Sequence, residues 1–168
     1  SGATPEQLSR LSKIDAGSKH LLEIIDSILD LSKIEAGKLS LHVTPCEIPQ
    51  LIGNVAAMMG ARAAEKGLRL ETEIPPGLPT VLGDTTRLQQ ALINYVGNAI
   101  KFTREGSVTL AVRVDADEGE HLRLRFEVRD SGIGIAPDAL DKIFQAFEQA
   151  DSSTTRAFGG TGLGLAIT

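Results

Sequence analysis

The hydrophobic period of this chain changes at Gly37, and the change constrains what it can fold into. Before it, Leu8, Leu11, Ile14, Leu21, Ile25 and Ile28 recur at helical spacing, with Ser18 interrupting the stripe. The stripe opens on a helix signal: Thr4 as N-cap, Pro5 at the first helical position, Gln7 completing a capping box. Gly37, after Glu35 and Ala36, is a natural C-cap glycine. The predicted helix of roughly thirty residues is longer than most globular helices. Leu22, Ile24, Leu29, Leu31 and Ile34 are apolar as well, so its C-terminal half is apolar on more than one face. Such a helix belongs in a bundle, and no other segment offers it a long partner, which is expected from outside the chain.

Beyond Gly37 the period is two. Leu39, Leu41 and Val43 alternate with polar residues and predict a strand closed by Pro45. Residues 47–66 read as a helix ending before Gly67, and Leu68, Leu70, Thr72 and Ile74 as a strand. Residues 75–79 are a Pro/Gly loop, and Asp84 caps a helix running to about Phe102. Two strands follow, Ser107–Asp115 and His121–Asp130, joined by a hairpin turn at Asp117–Gly119. A short helix is expected after Pro137, then a polar stretch and a terminal glycine segment.

Aromatic residues are only 4% of the chain, so Leu, Ile, Val and Ala must form the core. A net charge of −5 argues against non-specific nucleic-acid binding. The single Cys46 excludes an internal disulfide and a cysteine-rich metal site. No apolar run approaches a membrane span and no signal-peptide pattern opens the sequence, which therefore reads as cytoplasmic, without membrane contact of its own.

Three constellations carry chemistry. In DSGIGI, Asp130 ends a strand whose Leu122, Leu124, Phe126 and Val128 point one way, and Gly132 and Gly134 let backbone approach a flat ligand. A partly buried carboxylate there can accept from an exocyclic amine such as that of adenine. The same pattern also suits a plain strand-ending turn. Asn94, Asn98 and Lys101, spaced i, i+4 and i+7, share a helix face. A carboxamide oxygen suits Mg²⁺ and a lysine suits phosphate, although polar residues so spaced equally describe a solvated face. In GGTGLGLAIT, Gly160, Gly162 and Gly164 precede a helical run whose free N–H groups can hold an anion. No lysine follows them as a P-loop would require.

Together these segments resemble the catalytic ATP-binding domain of sensor histidine kinases, most closely of the hybrid type, within the gyrase/chaperone/histidine-kinase ATPase superfamily. RLQQALINYVGNAIKFT resembles the asparagine box, DSGIGI the first glycine box, IFQAFEQADSSTTR the phenylalanine box and lid, and GGTGLGLAI the second glycine box. IIDSILDLSKIEAGKLSL resembles the end of the second dimerisation and phosphotransfer helix. The resemblance implies an α+β chain: a two-layer α/β sandwich, a mixed sheet with helices on one face, preceded by one long bundle-type helix. Residues 1–37 would be that second helix and 38–168 the catalytic domain, cut short at both ends and without its C-terminal strands.

Carried over, the resemblance makes Asn98 the Mg²⁺ ligand, with Asn94 supporting the phosphate end and Lys101 contacting phosphate. Asp130 would bind the adenine amine and Gly132 and Gly134 line the base. Gly160, Thr161, Gly162, Leu163 and Gly164 would form the lid hinge over ATP, Phe144 and Phe147 anchor its start, and Arg156 meet phosphate. Hydrolytic relatives place Glu where Asn94 stands, which favours transfer over hydrolysis. Tyr95 and Ala146 depart from the family's usual small aliphatic residue and proline. None of His20, His42 and His121 sits in a phosphoacceptor box, so no catalytic histidine is expected in this sequence. The implied parent is a homodimer, with or without a membrane anchor, relaying phosphate to a response-regulator receiver domain in cis or trans. A hydrolytic ATPase or a nucleotide-binding scaffold remain the alternatives.

Overall fold

The computed structural model describes residues 4–119 and 121–137. It divides into two compact units, residues up to Ser40 and residues from Leu41 onward.

The first unit is α1 (Pro5–Glu35). Thr4 caps it in a complete capping box: its hydroxyl accepts from the Gln7 amide at 3.3 Å, and the Gln7 carboxamide accepts from the Thr4 amide at 2.8 Å. At the other end Gly37, at φ +62°, turns the chain, and the Gly37 and Lys38 amides donate to the Ile34 and Lys33 carbonyls. Leu8, Leu11, Ile14, Leu21 and Leu22 are exposed along it.

The second unit runs β1 (Thr44–Cys46), α2 (Ile48–Glu65), β2 (Arg69–Glu73), β3 (Val81–Gly83), α3 (Thr85–Phe102), β4 (Ser107–Asp117), β5 (Leu122–Asp130). β2 pairs parallel with β4, Leu70 opposite Val108, and β4 pairs antiparallel with β5, Leu110 opposite Val128. This is the mixed sheet expected from the sequence. α2 and α3 pack on each other and on this sheet. Ile52 and Val55 of α2, Val96 and Ile100 of α3, and Val108 and Leu110 of β4 are fully buried in one core. Each such side chain contributes about 1.5–3 kcal/mol relative to exposure.

The other face of the sheet is charged. Glu73 bridges Arg113 and Arg129 across all three strands, Arg113 also meets Glu127, and Arg125 pairs with Asp115. Exposed pairs of this kind add little stability, about 0–1 kcal/mol each, but they keep this face solvated. The hairpin turn is fixed by Gly119 at φ +80°, whose amide donates to Asp117 Oδ1 at 3.0 Å.

The N-terminal strand is displaced from its expected place. Residues 38–43 form no strand, and Leu41 and Val43 are exposed, since no described strand pairs with them. The ladder begins at Thr44 and includes Pro45, pairing antiparallel with β3 in a two-stranded sheet. A proline is tolerated there because each strand of such a pair is an edge. β3, only three residues long, carried no periodic signal.

Candidate functional site

The site is built on α3. Asp84 starts this helix: its Oδ1 accepts from the Arg87 amide at 3.0 Å, and its Oδ2 accepts from the His42 amide at 2.8 Å. These two backbone donors hold the Asp84 carboxyl below its ordinary pKa. Leu92, Val96, Ala99 and Ile100 face the core. Asn94, Asn98 and Lys101 are half-buried on the same helix. Burial, and then the charge of Arg62 on α2, push the Lys101 ammonium below its ordinary pKa. That ammonium lies 4.8 Å from the Phe102 ring centroid. A partly desolvated cation beside a second cation is a place where a phosphate would relieve repulsion. Arg62 was not singled out from the sequence, because its neighbour Lys101 lies on another helix.

The C-terminal end of α3 meets the loop after β5. The fully buried Thr103 hydroxyl donates to Asp130 Oδ1 at 3.5 Å, and the Gly132 amide donates to the same oxygen at 2.8 Å. The Ile133 amide reaches the Phe102 carbonyl at 3.4 Å. Gly132 is required by this approach: a Cβ there would stand 2.6 Å from Asp130 Oδ1 and 2.7 Å from the Phe102 oxygen. Gly134 lies at φ +70°. Ser131 ties the loop to the α3–β4 turn, its hydroxyl accepting from the Ser107 amide and donating to the Glu105 carbonyl, both at 3.1 Å.

Asp130 is more open than the partly buried carboxylate anticipated: the residue is exposed. The reason is its place at the last rung of β5, opposite Val108, where the sheet ends. Its Oδ1 is held from two sides, and no described residue donates to Oδ2. The arrangement fixes the carboxylate through Oδ1 on an exposed residue near a glycine backbone and leaves Oδ2 as an acceptor, which suits recognition of an amine on a flat ring.

The structure thus brings Asp130 and Gly132 to the end of the helix that carries Asn94, Asn98 and Lys101. Arg156, Gly160, Thr161, Gly162, Leu163 and Gly164, with Phe144, Phe147, Ala146 and the short helix after Pro137, lie outside the described residues. Among the described residues no three His, Cys, Asp or Glu side chains gather to hold a metal. A half-buried carboxamide such as Asn98 fits a cation that keeps waters and shares a ligand's phosphates. A shallow opening lined by Pro45, Glu47, Gln50, Asn54, Thr80 and Thr85 lies near the start of α3 and contains none of these residues. His42 and His121 are exposed, and His20 lies on α1. No described helix is long and apolar enough to cross a membrane.

Residues 83–168 match a sequence model of the histidine kinase-, DNA gyrase B- and HSP90-like ATPases. The chain is 42% identical over 166 residues to the signal transduction histidine-protein kinase BarA of Escherichia coli K12, covering 98% of this chain and 18% of that protein. It is 44% identical over 165 residues to the sensor protein GacS of Pseudomonas syringae pv. syringae, with the same coverage of 98% and 18%. The chain therefore spans about a fifth of the length of these curated relatives. Among solved structures, full-length ShkA in complex with AMPPNP superposes with a TM-score of 0.81 at 40% identity, over 99% of this chain and 34% of that one. The catalytic domain of the histidine kinase ThkA superposes with a TM-score of 0.62 at 28% identity, over 76% of this chain and 78% of that one.

Proposed function

The chain belongs to the histidine kinase-, DNA gyrase B- and HSP90-like ATPases, and from that premise we propose that it is the nucleotide-binding region of a hybrid sensor histidine kinase. The observation that carries this reading is the meeting of the α3 end with the Asp130 loop. There a fixed carboxylate oxygen and a glycine backbone stand beside the helix of Asn98 and Lys101.

In this reading Asp130 accepts from the adenine amine, and Gly132 and Gly134 let the backbone approach the base. Lys101 meets the phosphates, Asn94 supports their end of the site, and Asn98 holds Mg²⁺ through its carboxamide oxygen. When bound, Mg²⁺ supplies charge neutralisation on the phosphates. Gly160, Thr161, Gly162, Leu163 and Gly164 would close over ATP as a lid, with Arg156 a further phosphate contact. Residues 1–37 would be the second helix of the dimerisation and phosphotransfer domain, and 38–168 the catalytic domain.

The sequence has no phosphoacceptor box, so transfer would go to a histidine supplied from outside it. Onward relay would run to a receiver-domain aspartate of a cytoplasmic, dimeric parent. Asn94 stands where a hydrolytic relative carries a base, and a carboxamide cannot take a proton from water. This favours positioning ATP for transfer over hydrolysis.

Steady-state turnover of ATP by the purified chain tests the reading. Turnover is expected far below the ~1 s⁻¹ floor of typical enzymes. Brisk turnover that disappears in Asp130→Asn would overturn the kinase reading in favour of a hydrolase.

A further inference from the structure

The last turn of a helix leaves four carbonyls without donors inside the helix. In α3 these are the carbonyls of Ile100, Lys101, Phe102 and the C-cap Thr103; every one is satisfied, three of them by a single side chain from elsewhere. The Phe102 carbonyl takes the Ile133 amide of the glycine loop at 3.4 Å. The Ile100 and Lys101 carbonyls take the ammonium of Lys66, at 2.7 and 2.8 Å. The same ammonium also donates to the Thr103 carbonyl at 3.3 Å. All three of its donors are therefore used, around the residue pair that sets the Asp130 loop.

Lys66 is the C-cap residue of α2, where a cation would ordinarily serve its own helix. Gly67, at φ +70°, turns the chain there, and the Gly67 and Leu68 amides already close α2 by donating to the Ala64 and Ala63 carbonyls. The ammonium is left to cap α3, a helix separated from it by β2 and β3 in sequence. Charge-assisted bonds of this kind are roughly twice as strong as neutral ones.

We infer that Lys66 is a positioning residue for base recognition: by clamping the α3 end it fixes the Thr103 hydroxyl and Phe102 carbonyl against which Asp130 and Gly132 are set. This rests on the adenine-binding reading of Asp130. The clearance at Gly132 explains the sensitivity. The loop already lies so close to the Phe102 carbonyl and Thr103 hydroxyl that a Cβ would stand 2.7 and 3.0 Å from their oxygens. A fraying last turn would carry both oxygens out of place, and the Asp130 Oδ1 bonds with them.

The test compares ADP with IDP, which lacks the exocyclic amine, by calorimetric titration of the full chain and its Lys66→Met and Lys66→Arg variants. Lys66→Met is expected to lose about tenfold in ADP affinity while IDP affinity changes less than about twofold, and Lys66→Arg to recover most of the loss. Equal losses for ADP and IDP, or no loss for either, would overturn the positioning role. Wild-type protein that binds no ADP would overturn the adenine reading itself, a separate result. Should Lys66→Met fail to fold, nitrogen NMR of the wild-type Lys66 ammonium decides. A resonance that shifts with ADP but not with IDP supports the inference, and one that ADP leaves unmoved overturns it.

Discussion

At the end of α1 the amides of Gly37 and Lys38 donate to the carbonyls of Ile34 and Lys33; at the end of α2 those of Gly67 and Leu68 donate to Ala64 and Ala63. Both glycines have positive φ, +62° and +70°, and the same cap closes both helices. Their sides differ completely. Ile52 and Val55 of α2 are 0% exposed, whereas Leu11 and Ile14 of α1 are 57% and 64% exposed. Cap chemistry is therefore written locally and works with or without a core. Burial depends on which distant segments arrive. A 31-residue helix with so much exposed apolar surface fits the proposal that α1 comes from a helical bundle, where such a face is covered.

Core truncation gives the largest separation between the two helices. Ile52→Ala should lower the stability of the second unit by about 3 kcal/mol, through lost burial and the cavity left behind. Leu11→Ala should cost less than about 0.5 kcal/mol, because its side chain is already in water. Urea unfolding followed by circular dichroism and by amide signals of β4 measures both, and similar costs would break the contrast.

The caps should behave alike locally and differently at a distance. Gly67→Ala and Gly37→Ala each place a Cβ in a left-handed conformation, at a cost of roughly 1–2 kcal/mol. The first is expected to lower the unfolding midpoint of the second unit. The second is expected to raise only the amide exchange of the last turn of α1. A shift of the β4 signals by Gly37→Ala would show that the two helices are not so distinct.

The smallest effect concerns the α3 cap. Asp84 has a depressed folded pKa, so its contribution is present above the ordinary aspartate value and is lost as pH falls through the folded one. The melting temperature of Asp84→Ala should therefore lie below wild type at neutral pH, and the gap should close in acid. A gap that persists unchanged into strong acid would contradict the assignment, and Asp84→Asn, which keeps the cap oxygen, should lie between the two.

Most elements of the fold could be read from caps and periods: Thr4 and Gly37 bracket α1, Gly67 ends α2, and Asp84 starts α3. What could not be read was pairing without periodicity. β1 and β3 have three residues each, and their register joins Thr44 to Gly83 across a separation that no local pattern encodes. The apolar alternation at Leu39, Leu41 and Val43 misled for the same reason, since alternation marks a strand only where a partner strand exists. At the proposed site, Asn94, Asn98, Lys101 and Asp130 were singled out from residue type and spacing alone. The residues that set the Asp130 loop and the end of α3 were not. Thr103, Ser131, Gly106 and Lys66 act through contacts between segments far apart in sequence; at Gly106 the φ of +109° already disfavours a side chain, and a Cβ would also collide with the Ser131 hydroxyl. Lys66 looks from sequence like an ordinary charge at a helix end.

Calorimetric titration of ADP, in Mg²⁺, into wild-type protein and Asp130→Asn bears most directly on the proposed site. Wild type is expected to bind, and Asp130→Asn to lose at least about tenfold in affinity, the worth of one charge-assisted hydrogen bond, with β4 amide signals unchanged. Equal binding of ADP by the two proteins would contradict adenine recognition by Asp130.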